Sequence, residues 1–273
     1  MSTVGCFQIK GMRRLGSKVA IVIPARLASV RLPNKVLLEI SGLPMIEHVR
    51  RRGLMNKYSV PVFVATGDDM LIDVVESFGG DCIKTYQDHT DGLSRVNEAS
   101  TDLAFEHYII LQGDEILIVP SEIDRLIEMI STRSGVQVWN QTTSLSLEEE
   151  LTNVSIVKCF TNSSNNIYSI FRKSPLTCSN KEQMKLVLKI CGLFAVSKNA
   201  LNDICRKENS KLQSAESIEQ LKFIEYGYSI KSLPTDNNFP SINIPEDIAR
   251  IKEAIKTSPQ QSRILNEVIA FSV

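Results

Sequence analysis

Between residues 18 and 133 the chain alternates short apolar, β-branched runs with amphipathic stretches, and few folds tolerate that alternation. Runs at 18–23, 60–66, 82–85 and 108–112 read as buried strands. Stretches at 70–78 and 92–105 read as helices, the first stopped by Gly79 and Gly80. Pro120 opens another, with Ile123, Leu126, Ile127 and Ile130 on one face. Strands separated by helices pair side by side through crossovers, which gives an α/β protein with a parallel sheet. From 134 to 197 the pattern changes to β-branched runs at 154–160, 167–171 and 186–196, with a polar excursion near 174–182, and reads as an antiparallel extension. Helices return at 198–206 and 215–226, then a strand at 229–233, and a helix opened by Pro245 with Ile248, Ile251 and Ile255 on one face. Residues 260–273 read as a docked helix or a loose tail. The expected organisation is one domain over 17–273, with a core of 17–133 and 198–257, an inserted lobe at 134–197 and an N-terminal extension at 1–16.

A chain of 273 residues suffices for one such domain with an inserted lobe. Its 31 basic and 31 acidic residues cancel, so no global field draws it to nucleic acid or an anionic membrane, and neither is expected as a partner. The six cysteines form no CxxC pair and there are only three histidines, which argues against a zinc cluster. Cysteines scattered through apolar segments suit reduced thiols. Residues 1–16 lack the apolar core of a secretory leader, and no run of apolar residues is long enough to span a bilayer, so the expected location is cytoplasmic.

The first strand runs into IPARLASVRLPNK, a proline-punctuated loop carrying Arg26, Arg31 and Lys35. Cations beside freed backbone N–H groups at the carboxyl edge of a parallel sheet are what polyphosphate binding needs. The loop contains neither a P-loop nor a GxGxxG fingerprint, and a solvated basic loop is the plainer alternative. Gln112-Gly113-Asp114-Glu115 follows another buried strand at the same edge. Asp114 there is a candidate Mg²⁺ ligand, because Mg²⁺ favours one or two carboxylates completed by phosphate oxygens and water. The alternative is a turn carboxylate that caps the next helix. In DHTDGLSR, residues 88–95, Asp91 is placed to cap a helix and Arg95 adds a cation. His89 could act as a general base, but loop structure or a phosphate or base contact is the preferred reading.

With ESIEQLK and INIPEDI, these segments resemble the CMP-Kdo synthetase (3-deoxy-manno-octulosonate cytidylyltransferase) family over residues 19–255. The resemblance implies a Rossmann-like, mostly parallel sheet flanked by helices, with a smaller antiparallel lobe that covers the sugar and makes a homodimer contact. It implies CTP and an acidic keto-sugar (Kdo or a modified form) as substrates, Mg²⁺ as cofactor, and a place in surface polysaccharide (lipopolysaccharide) biosynthesis. Residue by residue, Arg26 and Lys35 match the triphosphate contacts and Ala25 a main-chain contact to cytosine. Asp91, Arg95 and Gln112 fall at nucleotide positions. Arg26, Lys35 and Asp114 carry the implied catalysis. Glu219 and Gln220 match the sugar-binding pair, and Arg172 a basic residue of the sugar lobe. Asp114 and Asn243 stand at the two metal positions.

The chain also departs from the family pattern. Asn243 replaces an aspartate, Ile116 a proline, and Asp91 and Leu93 a serine and a threonine of the cytosine pocket. Ile190 and Phe194 replace a histidine and a tyrosine, which predicts an apolar sugar wall and a poor fit to Kdo. These changes leave open a weakened or non-catalytic relative that binds nucleotide or a partner subunit, and a transferase for another sugar or nucleotide.

Overall fold

The computed structural model describes residues 18–29 and 32–271, so the 1–16 extension and Arg31 lie outside the described residues. The first half runs β1 (Val19–Pro24), a small hairpin of β2 (Glu39–Ile40) and β3 (Leu43–Pro44), α1 (Met45–Leu54), β4 (Val62–Thr66), α2 (Asp69–Ser77), β5 (Asp81–Lys84), α3 (Gly92–Ala99), β6 (His107–Leu111) and α4 (Pro120–Thr132). β1 pairs in parallel with β4 and β6, and β4 with β5. Alternation along β1 sends Val19, Ile21 and Ile23 into one core, with Val49 of α1, Leu71 of α2 and Ile123 of α4. Ala20 and Val22 face a second core with Leu93 and Val96 of α3. Burial on both faces explains why the strand is apolar at every position.

The second half adds β7 (Val138–Ser144), β8 (Lys158–Thr161), β9 (Asn166–Phe171), α5 (Asn180–Leu186), β10 (Leu188–Ser197), α6 (Lys198–Arg206), α7 (Lys211–Glu216), α8 (Gln220–Glu225), β11 (Ile230–Thr235), α9 (Asp247–Thr257) and α10 (Pro259–Ala270). Nine strands form one sheet in the order β5-β4-β1-β6-β10-β7-β11-β9-β8. β10 lies antiparallel between β6 and β7, and β11 returns parallel to β7. Past a bulge between Ile190 and Phe194, the first part of β10 also pairs with β8 through Leu188 and Lys189. The pairings β7–β11–β9–β8–β10–β7 therefore close a ring, which has a small core of its own at Leu145, Leu151 and Val187.

The inserted lobe expected at 134–197 does not follow a break in this sheet. β7 and the second part of β10 hydrogen-bond into the central strands, and Phe194, Ala195 and Val196 are fully buried. A strand's own pattern shows that it is buried but not which strand it pairs with. Smaller differences have local causes. The helix expected at 92–105 ends at Ala99. The one expected at 215–226 is split at Ser217, whose φ of +53° lies in the left-handed region.

Helix α1 went unread in the sequence because MIEHVRRRGL looks like a solvated basic face, yet Glu47, His48 and Arg50–52 are all buried. Glu47 accepts from Arg50 at 2.6 and 2.7 Å and from Arg51 at 2.7 Å. Arg50 also donates to Phe78 O, Arg51 to Val268 O and Arg52 Nη1 to Ile118 O, while Arg52 Nε and Nη2 are buried without a hydrogen-bond partner. Arg52 also donates to Gln261 Oε1 at 2.8 Å, while Gln261 Nε2 donates to Leu117 O at 2.7 Å. These polar contacts dock α10, so the last segment is the docked helix.

Candidate active site

The carboxyl ends of β1 and β6 open on a cleft of about 690 Å³, bounded by the start of α3, the α7–α8 junction and the loop before β8. β1 extends its ladder by one residue, Ala25 N donating to Ala65 O at 3.0 Å. The cation-rich loop then turns back on itself. Leu27 N donates to Asp68 Oδ2 at 2.8 Å, and Asn34 N to Leu27 O at 3.1 Å. Asn34 sits at φ +56°, a conformation asparagine tolerates, and opens a single 3₁₀ turn at Lys35–Leu37. That turn aims Lys35 Nζ at Asp114 Oδ2, 2.7 Å away, and at Ile242 O, 3.0 Å away. Arg26 is exposed on the same wall.

Gln112 and Asp114 reach the cleft from the end of β6. Asn243 lines the wall beside Asp114, because Ile242 N donates to the backbone O of Asp114 at 3.4 Å and Asn243 N is held by Asp247 Oδ2 at 2.8 Å. No group of three or more His, Cys, Asp or Glu side chains suited to a metal occurs among the described residues. A carboxylate and an amide bordering one cleft are ligand types that suit Mg²⁺, which draws its other ligands from phosphate and water. Glu115, not singled out in the sequence, lies behind Asp114. Its Oε1 accepts from Gly192 N at 3.0 Å, and burial together with the neighbouring Asp114 pushes its carboxyl up to about 7. A Cβ at Gly192 would stand 2.6 Å from the Glu115 side chain, so any other residue there would force the buried Glu115 to move.

The opposite wall comes from α3, α7 and α8. Asp91 caps α3, accepting from Ser94 N at 2.8 Å, and its other oxygen takes Gln213 Nε2 at 2.9 Å. Arg95 is buried and donates to Thr85 Oγ1; burial lowers its pKa, with Asp68 pulling the other way. His89 is held between Glu98 Oε2 at 2.6 Å and Ser94 Oγ at 3.1 Å, the loop-structure reading rather than that of a base. Glu219 Oε2 accepts from Leu93 N at 2.9 Å, and Gln220 Nε2 donates to Asn140 Oδ1 at 3.3 Å. Arg172 lines the cleft but spends Nε, Nη1 and Nη2 on the backbone carbonyls of Glu216, Val154 and Ser217.

All the site residues expected from the sequence thus border one cleft. The apolar sugar wall does not exist. Phe194 is fully buried between Ile110 and Asn140, and Ile190 packs against the same core. The surface near Arg172 is polar instead, with Ser155, Asn209, Gln213 and Ser214. These residues carry no motif of their own and only the fold brings them together.

Burial, then repulsion from Asp91, raises the Glu219 carboxyl from 4.5 to about 7, against the amides of Leu93 and Gly92 and the Gln112 side chain. An acid whose folded pKa is raised contributes stability that is fully present below about pH 4.5 and is lost as pH rises through about 7. Glu219→Gln should therefore gain stability relative to the parent across that window. Urea titrations at pH 5 and pH 8 showing the same difference would remove Glu219 as the source.

Comparison with known proteins bears on what such a cleft does. A family profile described as cytidylyltransferase matches residues 20–232. An 8-amino-3,8-dideoxy-manno-octulosonate cytidylyltransferase of Shewanella frigidimarina is 34% identical, the match covering 85% of this chain and 96% of the relative. A 3-deoxy-manno-octulosonate cytidylyltransferase of Escherichia coli is 32% identical, covering 86% and 95%. A solved CMP:2-keto-3-deoxy-manno-octonic acid synthetase complexed with CTP superposes with a TM-score of 0.80 at 31% identity, over 88% of this chain and 99% of that one.

Proposed function

The chain belongs to the cytidylyltransferase family, and from that premise we propose that it transfers CMP from CTP to a Kdo-type sugar, either 3-deoxy-manno-octulosonate or its 8-amino-3,8-dideoxy form, with release of pyrophosphate. The observation that carries the reading is the meeting of Arg26, Lys35 and Arg95 with the Asp114 carboxylate at the strand ends. A sugar hydroxyl attacks the α-phosphorus of CTP and gives up its proton to water, the new P–O bond forms, and the bond to the β-phosphate oxygen breaks. Charge grows on the leaving pyrophosphate, so positioned cations do most of the work. Lys35, held by Asp114 and Ile242 O, is already aimed before substrate arrives, and Arg26 adds a second charge. Ala25 presents main chain to the base, with Asp91, Arg95 and Gln112 around it. Glu219 and Gln220 hold sugar hydroxyls. Asp114 and Asn243 would hold Mg²⁺, which offsets phosphate charge when bound.

The reading extends to a cytoplasmic homodimer serving lipopolysaccharide biosynthesis. Among the described residues no helix is long and apolar enough to cross a membrane. Burial raises the thiols of Cys82, Cys159 and Cys205 to about 12, which keeps them unreactive. Leu147, Tyr168 and Leu186 are large apolar side chains left exposed on the ring lobe. The non-catalytic alternative loses one of its two supports, since Ile190 and Phe194 stand clear of the cleft. The test is pyrophosphate release from CTP with each of the two sugars, with UTP in parallel. Absence of release from CTP with both sugars would overturn the reading.

A further inference from the structure

Two cations near the acceptor side of the cleft give their hydrogen bonds to backbone rather than to open space. Arg172, at the end of β9, donates to Glu216 O and Val154 O, both at 2.7 Å, and to Ser217 O at 3.1 Å. Lys158, at the start of β8, is fully buried and does not border the cleft. Its Nζ donates to Asn153 O and Ile156 O, both at 2.7 Å, and to the backbone O of Arg172 itself. Burial pushes this ammonium down to about 8, which leaves it protonated near neutrality with three N–H groups for three carbonyls.

The carbonyls so engaged belong to the two segments that build one wall. Ser155 and Val157 line the cleft from the loop that carries Asn153, Val154 and Ile156. Ser217, Ile218, Glu219 and Gln220 line it from the α7–α8 junction, where Ser217 breaks the helix at φ +53°. Apart from Val157, whose O accepts from Ile190 N at 2.9 Å, neither segment is held by strand pairing at these positions, and a left-handed serine is strained unless its surroundings fix it.

We infer that Arg172 and Lys158 act together as positioning residues that clamp the 153–157 loop to the α7–α8 junction and so preset the acceptor wall, with Arg172 acting through the backbone instead of pairing with the sugar's carboxylate. This inference rests on the acceptor side of the functional reading above. It separates from a direct sugar contact because Lys158 is buried: the sugar cannot touch it, and only the clamp can transmit its loss.

The decisive experiment varies both substrates for Lys158→Met, Arg172→Ala and the double variant. Each single change should raise the sugar KM by about ten-fold or more and leave the CTP KM within about two-fold, as each removes hydrogen bonds from a charged donor. The double variant should be little worse than the poorer single, because both act on one unit. If Lys158→Met keeps the parental sugar KM while Arg172→Ala raises it, Arg172 binds sugar directly and the inference is overturned. An equal rise in the CTP KM would also overturn it, as general damage. Should Lys158→Met fail to fold, hydrogen exchange in Arg172→Ala decides: amides at 153–157 and 216–218 should exchange about ten-fold faster, and unchanged protection sinks the clamp. A parent that releases no pyrophosphate with either sugar would remove the functional reading, and the exchange arm would still judge the clamp.

Discussion

Asp114→Asn is expected to lower pyrophosphate release by about 100-fold or more while leaving the fold intact. The substitution removes the carboxylate from the pair of expected metal positions, since Asn243 supplies only an amide oxygen. It also takes from Lys35 the anion that sits 2.7 Å from its Nζ. Two lost charge-assisted interactions of about 1.5–3 kcal/mol each give that range, at about 1.4 kcal/mol per factor of ten. Single-turnover rates at saturating CTP provide the check, and a rate within three-fold of the parent would take Asp114 out of the chemistry. Asn243→Asp should act in the opposite sense, lowering the Mg²⁺ concentration needed for half-maximal rate. A Mg²⁺ titration that does not move would detach Asn243 from the site.

The largest expected effect on stability lies far from that cleft. Glu47 is fully buried and accepts three hydrogen bonds from Arg50 and Arg51, which are themselves only 2% and 7% exposed. Glu47→Ala leaves two guanidinium groups in the interior without their carboxylate. Breaking a buried pair from one side costs about 3–5 kcal/mol, a large part of the 5–15 kcal/mol that holds an average domain together. Urea denaturation measures it directly. A loss under about 1 kcal/mol would mean that the carbonyls of Phe78 and Val268 satisfy these arginines unaided.

The same helix shows where legibility from the sequence ends. β1, β4, β6 and α4 could be read because their period and their burial agree. α1 could not, because its arginines are bonded by one internal glutamate and by carbonyls from residues 78, 118 and 268, and a local window sees none of those carbonyls. The site divides in the same way. Arg26, Lys35, Gln112 and Asp114 follow directly from strand ends and were legible as chemistry. Ile190 and Phe194 carried a substitution whose meaning depended on which way β10 faces, and the bulge between them made the inference from type to wall fail. Gln213 and Ser155 are unremarkable in sequence and reach the cleft only through the α7 and β7–β8 connections. Arg172 was found by type, but its partners show that its charge is spent on the main chain.

The course of β10 limits how this protein could be rebuilt from parts. One strand belongs to the ring at Leu188 and Lys189 and to the central sheet from Leu193 to Ser197, with Gln112 N bonded to Gly192 O at their junction. A chimera that exchanged residues 134–197 for the same span of a relative would replace β7, β8, β9 and β10 along with only one side of the acceptor wall, and would have to recreate the Glu115–Gly192 fit at the seam. Acceptor preference in such a molecule is therefore better transplanted as separate loops, at the connection before β8 and at the α7–α8 junction, than as a module.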